Sequence, residues 1–196
     1  MRTVTALTHR CLALELLRMR VAIDLDPEEV GDDAAEYVAE YAALAEELGL
    51  EEVMTADERA LLSADVGATV PDVADETIVS GLVMEWVLLW ALGRMDAPPP
   101  TDVLDDPALA EKVEGGQLVA DGFEAERLPA MIEAMRPRSV DDLEGELAVY
   151  AAIHARDEGA VEATVALLCA AVLSWILDPT MAIDGDFELT VTSFEL

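Results

Sequence analysis

Few residues in this sequence have the type and spacing for chemistry. Glu36 and Glu40 lie four apart, so a helix would put both carboxylates on one face. With Glu28, Glu29, Asp32 and Asp33 just upstream, they offer the oxygen ligands that Mg²⁺ or Mn²⁺ takes. Yet the chain carries 42 acidic residues, and such spacings also arise on an ordinary solvated face. Trp86 and Trp90, again four apart, share a helix face. They could line a small-molecule pocket or simply fill the core. His154 follows an apolar stretch and precedes Arg156 and Asp157. Its imidazole could serve as base or ligand, or meet the carbonyls that end its own helix. Trp86, Trp90 and His154 are thus the candidate ligand pocket, and Glu36 with Glu40 the candidate metal pair. His9 is a weaker candidate than His154.

Other chemistries lack their motifs. Two histidines and two cysteines, with no His-x-x-x-His or Cys-x-x-Cys, argue against a dedicated zinc site. Cys11 and Cys169 both fall in apolar helical runs and read as buried free thiols. No Gly-x-Ser-x-Gly nucleophile elbow occurs, and Gly115-Gly116 lacks the Gly-Lys-Ser/Thr of a phosphate loop. No catalytic residue and no cofactor is expected.

Charge narrows the partners. Asp and Glu total 42 against 11 Lys and Arg, a net charge of −31, although 53% of residues are hydrophobic. Both facts hold together only if an apolar interior sits inside an acidic shell. Lys112 is the single lysine. Such a surface repels itself unless salt screens it, and molar salt shortens the Debye length to about 3 Å. A salt-loving source is the expectation. Nucleic acids and anionic membranes draw binding from clustered Lys and Arg, and the densest basic stretch here is only Arg10, Arg18 and Arg20. A basic protein partner or a homodimer fits better. The apolar run 163–177 falls short of the roughly 20 residues of a membrane span. Arg10, Glu15 and Arg18 interrupt any secretory signal. The expected location is the cytoplasm.

The elements that must position the candidates are helices. Apolar residues step by three and four from Thr5 to Ile23, and again from Asp32 or Asp33 through Val38, Tyr41 and Leu48 to Gly49. Asp26 could cap that second helix, with Pro27 in its first turn. Thr55-Ala56-Asp57-Glu58 is a capping box. A long helix opens at Asp75 or Thr77 and ends at Gly93; residues 86–92 are apolar nearly all round, which implies burial. Residues 98–100, three prolines, form a stiff connector. Shorter helices follow at 107–113 and 124–135. Ser139 caps the next, which runs to about Asp157, and Gly159 separates it from an apolar helix ending at Leu177. In the tail Phe187, Leu189 and Val191 alternate with polar residues. That is a strand period, though a lone strand would need a partner the rest of the chain does not offer. The expected fold is one all-α domain over residues 1–196, a bundle of about seven to eight helices.

Three stretches also resemble a family. They are residues 46–62, residues 86–93 (Trp-Val-Leu-Leu-Trp-Ala-Leu-Gly) before the prolines, and Arg136-Pro137 leading through Leu143 and Tyr150 to His154. Together they resemble the uncharacterised microbial family called domain of unknown function 4272, in order and spacing from about Arg10 to Thr190. The resemblance implies an α-helical fold and no known activity. Where that family is associated with an Arg and a Glu before the tryptophan element, this chain has Gly81 and Val83, with Glu85 displaced by two. Its last apolar helix begins with Glu162 and Thr164 where the family has arginines.

Overall fold

Helix α1, Val4–Leu25, is buried on almost every side, charged residues included, and residues 11–17 are all buried. A helix without a solvated face must be wrapped by others. The computed structural model describes residues 1–25, 30–67, 71–105, 108–118, 125–156 and 161–181. Among them the fold is all-α, with eight α-helices. Helices α2 (Ala34–Glu47), α3 (Ala56–Leu62) and α4 (Pro71–Ala91) surround α1. Then come α5 (Leu109–Glu114), α6 (Leu128–Ala134), α7 (Val140–His154) and α8 (Val161–Leu177). α8 packs on both α4 and α7. No described helix is long and apolar enough to cross a membrane.

Local chemistry explains most boundaries. Thr55 accepts the amide of Glu58 while Glu58 accepts that of Thr55, closing the expected capping box on α3. Ser139 and Asp142 close a second box on α7. Gly49 takes φ +66°, the left-handed conformation that lets the chain leave α2. α4 begins at Pro71, earlier than Asp75 or Thr77, because proline is well suited to a first helical turn. The second helix is preceded by a 3₁₀ turn at Gly31–Asp33. Asp26 and Pro27, the proposed cap, lie outside the described residues, as do Pro107, Asp157, Gly159 and the alternating tail at 187–192.

α4 ends in a Schellman motif: the Gly93 amide donates to Trp90 and the Arg94 amide to Leu89, at 2.9 and 2.8 Å. Gly93 has φ +76°, and a Cβ there would lie 2.1 Å from the Arg136 carbonyl oxygen. Only glycine lets the turn before α7 pass so close. The proline connector is pinned to the body as well. The Trp86 indole donates to Ala97 at 2.9 Å, Arg138 donates to Met95 and Asp96, and the Tyr150 hydroxyl donates to Pro99. Buried residues on both sides of this connector, from Leu7 to Ile176, form one continuous apolar cluster.

Candidate functional site

The sequence candidates fall at three separate kinds of place. Trp86 and Trp90 are 7% and 6% exposed, within the core cluster. Trp86 uses its one donor on Ala97, and the Arg138 guanidinium lies over the Trp90 ring, 5.7 Å from its centroid. His154 occupies the last turn of α7, where its Nδ1 is 3.2 Å from the carbonyl oxygen of Ala163 on α8. Glu36 and Glu40 are exposed on α2. Among the described residues, no three His, Cys, Asp or Glu side chains converge to hold a metal ion; Glu28 and Glu29 lie outside them.

One recess is lined by Arg10, Leu14, Met84, Leu88, Val172 and Trp175, and it has no room for a water-sized group. None of the candidate residues lines it. Its walls are mostly apolar, and the Arg10 guanidinium is already taken: Glu58 accepts from it with both oxygens at 2.6 and 2.7 Å, and the Val53 carbonyl at 3.0 Å.

Most of the arginines are turned toward the protein itself, whereas Lys112, Arg127 and Arg156 are exposed. Arg20 is fully buried, paired with Asp24 at 2.6 Å and donating to the carbonyls of Ala64 and Asp65. Arg59, Arg94, Arg136 and Arg138 all donate to backbone carbonyls at helix ends and loops. Arg2 lies over the Trp175 ring and donates to its carbonyl. Arginine suits this use because its planar fork satisfies several carbonyls at once. The acidic residues of α2 and the following turns, among them Glu36, Glu40, Glu47, Glu51 and Glu52, are exposed. On α1, Arg10 pairs with Glu58, Arg18 with Glu85 and Glu114, and Arg20 with Asp24.

A buried polar cluster escapes the helical periodicity. Glu15 and Glu85 are 1% and 0% exposed, on the facing helices α1 and α4. Arg18 Nε lies 3.4 Å from Glu85 Oε2. Glu15 Oε1 accepts the Leu118 amide at 2.8 Å and faces the Cys11 thiol at 3.7 Å. Burial pushes the Glu85 carboxyl up to about 8; Arg18 opposes the rise and Glu15 adds to it. Burial, then the charges of Glu15 and Glu85, also hold the Cys11 thiol well above its usual range, and burial takes Cys169 to about 12. Neither thiol is poised as a nucleophile. The signal for this cluster was a glutamate inside each of two otherwise apolar helical runs.

No protein-family model matches the chain, nor does any curated protein or any solved structure.

Proposed function

We propose that the protein is a non-catalytic interaction or regulatory protein of a salt-rich cytoplasm, which receives a basic protein partner on its acidic face. One observation supports this reading above the others: most of the arginines, Arg2, Arg10, Arg59 and Arg138 among them, are engaged with the protein's own carboxylates, carbonyls and rings, while the carboxylates of α2 and its flanking turns face outward. A surface of one sign steers an oppositely charged partner and rejects nucleic acid. The same surface is tolerable to the fold where salt screens its self-repulsion.

The test reverses charge on one face. Glu36→Lys, Glu40→Lys and Glu47→Lys, combined, leave the core untouched because all three side chains are exposed. The wild type should retain a basic protein from an extract of its source at native salt, and the folded triple variant should lose it. Retention of nothing, or equal retention by both, overturns the reading.

A further inference from the structure

Glu85 is a fully buried carboxyl whose Oε1 has no hydrogen-bond partner among the described residues, and Arg18 Nη2 has none among them either. Burying an ionised carboxylate demands donors for its oxygens. The described groups acting on Glu85 are Arg18 and Glu15 from α1 and Glu114 from α5; the Cys11 thiol faces the same cluster. One guanidinium therefore stands among three carboxyls, and it is shared. Arg18 Nε approaches Glu85 at 3.4 Å and Arg18 Nη1 approaches Glu114 at 3.9 Å. A proton on Glu85 removes the surplus charge and leaves Arg18 free to reach Glu114.

Residues 114–118 lie across this cluster as a strap. The Leu118 amide hangs on Glu15, and Arg94 donates to the carbonyls of Gly116 and Gln117, both at 3.4 Å. Gly116 sits so close to α4 that a Cβ would lie 3.1 Å from Leu89 and 2.9 Å from the Met95 sulfur. Leu89 is one helical turn from Glu85, on the same face. We infer that the proton on Glu85 latches residues 114–118 against α1 and α4, and that its loss unlatches them. The ionised carboxylate draws Arg18 away from Glu114, repels Glu15, and needs water that only lifting its cover admits. The chain thus carries a proton-operated latch in the α1–α4 seam, separate from its acidic face.

Lys112 gives the test its probe. As the single lysine it offers a lysine-specific protease one site. The next residue, Val113, is fully buried, so cleavage requires α5 to open. The cutting rate is measured from pH 6 to pH 9 and divided at each pH by the rate on a free peptide of residues 108–118. The wild type should show a relative rate that rises about tenfold per pH unit from pH 6 and levels off once pH passes about 8. Glu85→Gln, which stays neutral, should remain flat. A flat wild type, or the same rise in Glu85→Gln, overturns the inference. The wild type alone supplies a second reading through the infrared carbonyl band of a protonated carboxyl. The band should be present at neutral pH and vanish over the pH range in which the cleavage curve levels off; its absence overturns the inference even if Glu85→Gln does not fold.

Discussion

Glu58 joins α1 to α3 by serving Arg10 and Thr55 at once. Its two oxygens receive the Arg10 guanidinium at 2.7 and 2.6 Å, and the second also accepts the Thr55 amide at 2.8 Å. The Arg10 side chain is 4% exposed. Removing Glu58 therefore leaves a buried cation unpaired as well as a helix start uncapped. Glu58→Ala should cost about 3–5 kcal/mol in urea unfolding. A loss below about 1 kcal/mol, the size of the cap alone, would mean that Arg10 finds water instead.

Trp90 should behave as core. Trp90→Ala should cost about 3–5 kcal/mol, the usual range for a buried large aromatic. The measurement is the same urea titration. A loss under about 1 kcal/mol would point to a pocket or surface role for the ring.

Stability should fall toward alkaline pH because of Glu85. Its folded carboxyl titrates near 8 and its ordinary value is 4.5. Between those values the folded chain holds a proton that the unfolded chain has released, so stability declines as pH rises. The contribution is fully present below about 4.5 and lost as pH passes through about 8. Urea midpoints between pH 5 and pH 9 should decline for the wild type and much less for Glu85→Gln. Parallel curves would remove Glu85 as the cause.

Both cysteines should be silent in the native state. Cys11 and Cys169 are fully buried, with thiols raised by burial. A thiol-exchange dye should label them only at the rate of unfolding, and one labelling phase should track the urea transition. Rapid labelling of either residue in the folded protein would contradict their placement.

What was legible in the sequence follows from local rules. The Thr55 and Ser139 boxes, the left-handed Gly49 and the end of α4 at Gly93 each depend on a few adjacent residues. The burial of residues 86–92 was legible because a segment apolar on all sides has no solvated face to offer. Glu15, Arg20 and Glu85 were illegible for the opposite reason. Periodicity assigns a charge to the solvent, and only the packing of α2, α3 and α4 around α1 reveals that these charges have no solvent side. Arg138 over Trp90 joins residues 48 apart, a relation no local window contains. The candidate residues themselves could be picked by type, but whether they converge depends on the assembled fold.

If the acidity is a screened, outward charge and not a divalent-metal site, salt alone should govern the stability of the fold. The decisive experiment is thermal unfolding across KCl concentration, repeated with Mg²⁺ or Mn²⁺ at fixed ionic strength. The midpoint should climb steadily with KCl and not respond further to low concentrations of either metal. A midpoint indifferent to KCl, or a specific rise with divalent metal at constant ionic strength, would contradict that reading of the acidity.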